Sequence, residues 1–279
     1  MKMNILSSVL LLALSGQAFA AEPGSAGGIP ADATHVKAVL DKSPRHPEWV
    51  DIKVPDKKVP MKTYVVYPER PDKAPVVIII HEIFGESDWI RGVADQFAAE
   101  GFIAIAPDML SGYGPDGGGT DSLGGQQNVT KIVYTIKYPE VTANLNAVRE
   151  YALKIPAANG KIGVVGFCWG GGQSFEYATI QPELNAAVVY YGKATDPDLT
   201  KIKAPIAGFY GGNDSRITAT VKPTKEAMDK LGKVYEPHVY EGAGHGFLRQ
   251  IEGEKNAANL KAAQEAWPAT IAFLKEHLK

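Results

Sequence analysis

Five short, nearly unbroken apolar runs constrain this chain most: "PVVIII" at 75–80, "IAIA" at 103–106, "IGVVGF" at 162–167, "AAVVYY" at 186–191 and "IAGFYG" at 206–211. A strand with one wet face alternates apolar and polar residues. A strand covered on both faces does not, so runs of this kind read as parallel strands inside a sheet. Segments with helical spacing lie between them, at 88–102, 138–156, 170–180 and 256–279, and residues 61–69 and 234–247 add further strand and loop. Strands alternating with helices give βαβ units, hence an α/β fold: a mostly parallel, doubly wound sheet with helices on both faces. In such sheets the chemistry sits beyond the carboxyl ends of the strands.

Composition narrows the class. The chain has 279 residues, 45% hydrophobic and 22% charged, which is ordinary for a globular protein. Net charge is -2, so no basic footprint for nucleic acid exists. Residues 1–20 carry Lys2, an apolar stretch from Ile5 to Leu14, and Ala18-Phe19-Ala20. These are the three parts of a cleavable export leader, and the apolar stretch is short for a membrane span. We expect cleavage after Ala20 and a periplasmic or secreted, monomeric product without a membrane span in its mature form. Residues 21–48 open with a Gly/Pro/Ala-rich stretch and read as a flexible segment; residues 49–279 read as one catalytic domain.

Four candidate residues fall where strands end. "GFCWG" at 166–170 follows a strand and opens a helix, a G-x-nucleophile-x-G elbow with Cys168, the single thiol, in the nucleophile's place. A packed cysteine at a glycine turn has the same local sequence. The helix start beside the sulfur should favour thiolate. A thiol nucleophile needs a base, and the base an orienting acid. In this fold the order along the chain is nucleophile, acid, histidine. Asp214 closes "GGND" after an apolar strand, and His245 stands in "EGAGHGF" after the next; Asp196, Asp198, His238 and His277 are the rivals. The Trp169 N–H, one residue past the nucleophile, and the Ile83 N–H, after the 78–80 strand, are the expected oxyanion donors. Glu82 ends the same strand and could hold a thiol proton. One cysteine excludes CxxC redox chemistry and a cysteine zinc site, and no HExxH exists, so no metal and no cofactor are expected. The glycine-rich stretch 111–128 reads as an irregular loop over a site.

Together "HEIFG", "GKIGVVGFCWGGG", "GGND" and "EGAGHGF" resemble the dienelactone hydrolase family, carboxymethylenebutenolidases of the α/β-hydrolase fold. The resemblance spans roughly residues 50–279. It implies a Cys168–His245–Asp214 triad acting through a thioester on a small lactone or ester, with Glu82 assisting thiolate formation. It also implies an arginine four residues past the histidine, here Arg249, that binds an anionic substrate. A second family arginine has no counterpart, since residues 111–140 contain none. An esterase for acyclic esters, and a non-catalytic binding protein on this scaffold, are the alternatives.

Overall fold

A computed structural model describes residues 28–193 and 198–279; the expected leader lies outside the described residues. Eight strands form one sheet. In chain order they are β1 (Pro47–Ile52), β2 (Met61–Val66), β3 (Ala74–Ile80), β4 (Ile103–Pro107), β5 (Ala158–Phe167), β6 (Ala186–Tyr190), β7 (Ile206–Gly211) and β8 (Tyr235–Tyr240). Their spatial order is β1-β2-β4-β3-β5-β6-β7-β8. Only β2 runs against the rest, pairing antiparallel with both β1 and β4. The mostly parallel, doubly wound α/β architecture expected from the apolar runs is present.

The pleat explains why those runs are unbroken. Val76, Ile78 and Ile80 of β3 point into one core, and Val77 and Ile79 into the other. The first core is covered by α3 (Gln126–Val133), α4 (Tyr138–Ala152), α5 (Trp169–Ile180) and α6 (Ser215–Lys230). The second is covered by α1 (Val36–Leu40), α2 (Asp88–Ala99) and α7 (Ala257–His277). Both faces are therefore dry, and each buried aliphatic side chain contributes about 1.5–3 kcal/mol by leaving water. The chain moves outward from β3 to β4, then crosses back to β5 on the other side. This reversal places the loops after β3 and β5 side by side at the carboxyl end of the sheet, where a crevice opens.

Two expectations need correction. The segment expected to be flexible is packed from residue 28 on. Val36 is buried against α2, and Ile29, Ala31, Ala33 and Leu40 pack on the second core. Asp32 accepts hydrogen bonds from the N–H groups of Ile251, at 2.8 Å, and Glu252, at 3.3 Å. Arg45 reaches buried Asp95 of α2 at 2.8 Å. These few side chains sit among glycines and prolines, so composition hid them. The expected loop at 111–128 contributes no residue to the wall of the crevice where β5 ends. It supports the β3 loop from the side: Thr120 donates to Asp108 at 2.7 Å and accepts from the Glu86 N–H at 3.0 Å, and α3 starts within it at Gln126.

Candidate active site

The elbow forms because the sequence leaves no room for anything else. Cys168 has φ 55° and ψ -114°, a left-handed conformation that a non-glycine residue adopts only under constraint. The constraint is close packing of backbone. A Cβ on Gly166 would collide with the Gly170 carbonyl, and one on Gly170 with the carbonyls of Ile80 and His81. The Cys168 N–H donates to the Tyr190 carbonyl at 3.0 Å, tying the turn to β6. The thiol is thereby raised off the sheet at the start of α5.

His245 and Asp214 converge on it. The Asp214 carboxylate, 8% exposed, accepts from His245 Nδ1 at 2.5 Å. A carboxylate only accepts, so the proton is on Nδ1 and Nε2 is left as an acceptor. Nε2 lies 3.0 Å from the Cys168 sulfur, in place to accept from the thiol. Their two loops are fastened together: the Gly212 N–H donates to the Tyr240 carbonyl at 2.7 Å and the Asn213 N–H to the Ala243 carbonyl at 2.9 Å. Asn259 of α7 accepts from the Gly244 N–H at 2.8 Å, which fixes the approach to His245. The rivals lie elsewhere. His238 stacks on Phe209, His277 packs on Phe273, and Asp198 accepts from Thr200; Asp196 is outside the described residues.

The N–H groups of Trp169 and Ile83 both face the sulfur. These are the two expected oxyanion donors, one from α5 and one from the β3 loop. Glu82 is buried beside them. Burial pushes its carboxyl up to about 7, and Arg249 pulls the other way, its Nε 2.8 Å from Glu82 Oε1. Arg249 also lies over the Phe84 ring, 4.6 Å from its centroid. It thus faces Glu82 and is not among the residues lining the cleft.

The thiol itself departs from expectation. The helix start was expected to favour thiolate, yet burial and the neighbouring Glu82 push Cys168 up to about 11, against the pull of the Trp169 and Ile83 N–H groups and of Arg216. Desolvation outweighs the helix terminus because the sulfur is mostly shut away from water.

A cleft of about 180 Å³ opens onto Cys168, His245 and Trp169. Arg216, Lys193 and Tyr191 share its wall; sequence reasoning missed all three. Arg216 stands two residues past Asp214, a signal that was available. Tyr191 has φ 40° and packs edge-on against His245, and no pattern in the sequence marks it. A larger hollow, about 540 Å³, lies between residues 51–55 and α4, away from any nucleophile. Among the described residues no group of three or more His, Cys, Asp or Glu side chains could hold a metal ion.

This geometry belongs with a sequence match. The dienelactone hydrolase family model matches residues 61–278. The chain belongs to the dienelactone hydrolase family. Among similar proteins is one of Escherichia coli (strain K12) provisionally named carboxymethylenebutenolidase, 31% identical over 237 residues, covering 80% of this chain and 85% of that one. A Salmonella typhimurium protein with the same provisional name is 33% identical over 237 residues, covering 80% and 86%. A crystal structure provisionally titled dienelactone hydrolase, from Klebsiella pneumoniae, superposes with TM-score 0.68 at 27% identity, covering 81% of this chain and 99% of that one. A dienelactone hydrolase-like promiscuous phosphotriesterase from metagenomic libraries shares the fold, with TM-score 0.68 at 20% identity over 84% and 99%. The dienelactone hydrolases are α/β-hydrolases, and this chain is a hydrolase of that kind.

Proposed function

We propose that this protein hydrolyses a small carboxylic ester or lactone through a thioester on Cys168. One observation carries the reading: the sulfur lies 3.0 Å from His245 Nε2, whose Nδ1 donates to the Asp214 carboxylate. At rest the thiol, pushed up to about 11, keeps its proton against Glu82, pushed up to about 7. The proton leaves as the Sγ–C bond forms, to His245 Nε2, with Glu82 as the nearby carboxylate able to share it. The carbonyl oxygen becomes an oxyanion held by the Trp169 and Ile83 N–H groups. The C–O bond to the leaving oxygen then breaks, and His245 returns the proton to that oxygen. Water, deprotonated by His245, attacks the thioester; the acid leaves and the proton goes back to sulfur. Asp214 keeps Nδ1 protonated throughout and stabilises the imidazolium. The cleft volume of about 180 Å³ suits a small substrate.

The test is turnover of a cis-dienelactone and of p-nitrophenyl acetate by the protein and by Cys168→Ala. We expect kcat to fall by about 10³-fold or more in the variant for whichever ester is turned over. Undiminished turnover in Cys168→Ala overturns the reading. We further propose export, from the leader at residues 1–20. Amino-terminal sequencing of the protein recovered from expressing bacteria should begin at Ala21; a chain that retains residues 1–20 contradicts it.

A further inference from the structure

His81 opens the "HEIFG" segment, and the reaction above gives it no task. It stands just past β3 and is fully buried. A polar ring is costly in such a place unless it has a partner. Its Nδ1 lies 2.7 Å from the Glu82 carbonyl oxygen. A carbonyl only accepts, so Nδ1 carries a proton and donates. Burial pushes the ring's pKa down against the pull of Asp108, so the ring stays neutral and that proton is its only one. Nε2 is then a bare acceptor, and it has no hydrogen-bond partner among the described residues.

The Glu82 carbonyl belongs to the same peptide group as the Ile83 N–H. That peptide is trans, so its C=O and N–H point in opposite directions. Whatever fixes the carbonyl therefore aims the N–H. The carbonyl also accepts from the Gly85 N–H, at a longer 3.2 Å. On the far side, Thr130 of α3 donates to the Ile83 carbonyl at 3.2 Å. The same side chain touches the other expected oxyanion donor. The His81 ring stacks on the Trp169 ring, with centroids 5.5 Å apart and planes at 21°.

We propose that His81 is a positioning residue that presets the oxyanion hole, its Nδ1–H holding the Glu82–Ile83 peptide so that the Ile83 N–H faces the reacting carbonyl oxygen. A donor oriented in advance spends nothing on reorganisation when the oxyanion forms. Without His81 the carbonyl keeps only the longer bond from Gly85, and the peptide can turn its N–H away. The proposal rests on the ester-hydrolase reading for the reaction it serves, but part of its test needs no turnover.

The probe is 1,1,1-trifluoroacetone. Its carbonyl carbon forms a bond to Sγ, its oxygen takes up the thiol's proton, and nothing leaves. Cys168 is the only thiol in the chain, so the fluorine resonance of the adduct reports on this site alone. The pH at which the adduct's hydroxyl ionises measures the donors around its oxygen. His81→Phe keeps a ring against Trp169 and removes the donor. His81→Asn removes the ring and keeps an N–H at a similar reach to Nδ1. In His81→Phe we expect the hydroxyl to ionise about one pH unit higher than in the natural protein. We expect its kcat for p-nitrophenyl acetate to fall about tenfold or more, with KM little changed. His81→Asn should stay close to the natural protein in both. If His81→Phe does not fold, His81→Leu takes its place, since leucine matches asparagine in branching and lacks the donor. Unchanged ionisation and kcat in the variant without the donor, or greater damage in His81→Asn, overturns the proposal. A shifted ionisation without Cys168-dependent turnover upholds the positioning role and removes the esterase reading. Cys168-dependent turnover with an unshifted adduct does the reverse.

Discussion

At Cys168 the balance is between desolvation and the groups that would stabilise a thiolate. Burial and Glu82 push the thiol up; the Trp169 and Ile83 N–H groups and Arg216 push it down, and the first pair prevails, to about 11. Replacing Glu82 by Gln removes a negative charge from beside the sulfur, so the thiol pKa should fall and iodoacetamide should react faster at fixed pH. The same change removes a proton acceptor, so ester turnover should slow. Faster alkylation with slower turnover separates this role from simple damage, which would slow turnover and leave the thiol's titration in place. Alkylation rates across pH, beside kcat, measure both. At this scale the sequence was informative wherever chemistry requires neighbours in the chain. Cys168, Trp169 and Ile83 follow from the elbow and its strand, and Asp214 and His245 from their order. Arg216 follows Asp214 by two residues and could have been read from it; Lys193 and Tyr191 reach the cleft through tertiary packing, which leaves no spacing rule to read.

Among the elements, the loop after β3 joins the site to a buried cluster behind it. Glu86 is fully buried, and its carboxylate accepts from Arg91 Nε at 2.8 Å. Burial raises Glu86 from 4.5 to about 8; Arg91 opposes this, while Asp108 and Asp121 add to it. A folded-state pKa above the unfolded one means the folded chain holds the proton longer. The stability this group contributes is therefore complete below about 4.5 and is lost as pH rises through about 8. Glu82, raised to about 7, acts in the same direction. Melting temperatures measured from about pH 5 to pH 9 should decline, and the decline should be shallower in Glu86→Gln. An equal decline in both proteins would remove Glu86 as a source. Element by element, the central strands were legible because two dry faces demand Val and Ile. Helix α6 was not: it buries only Ile217, Val221 and Met228, contains Pro223, and is rich in threonine and lysine. β1 was missed because only Ile52 of it is buried and it begins at a proline.

Over the whole molecule, the amino-terminal segment and the site are linked through one carboxylate. Asp32 accepts from the N–H groups of Ile251 and Glu252, and the Ala33 N–H donates to the Arg249 carbonyl at 3.2 Å. These bonds hold the chain just past His245, where Arg249 meets Glu82. Burial alone would raise the Asp32 pKa, yet the hydrogen bonds from Thr34, Ile251 and Glu252 bring it below 3.8. Asp32→Ala leaves three N–H groups, of Thr34, Ile251 and Glu252, short of a partner, that of Ile251 buried, and should cost about 1–3 kcal/mol of stability. Turnover should fall as well, because the Arg249 backbone loses its support. Denaturant melts and kinetics on the same preparation test both, and an Asp32→Ala protein as stable and active as the natural one would refute the link. None of this was visible in a stretch whose glycines and prolines suggested looseness.

The central claim is that Cys168 forms the covalent intermediate. Its most direct test is the intact mass of the protein quenched in acid during turnover of p-nitrophenyl acetate, followed by peptide mapping. The account predicts a transient gain of one acetyl group on the peptide that carries Cys168, absent in Cys168→Ala. Turnover with no adduct in that peptide and full activity in the variant would contradict it.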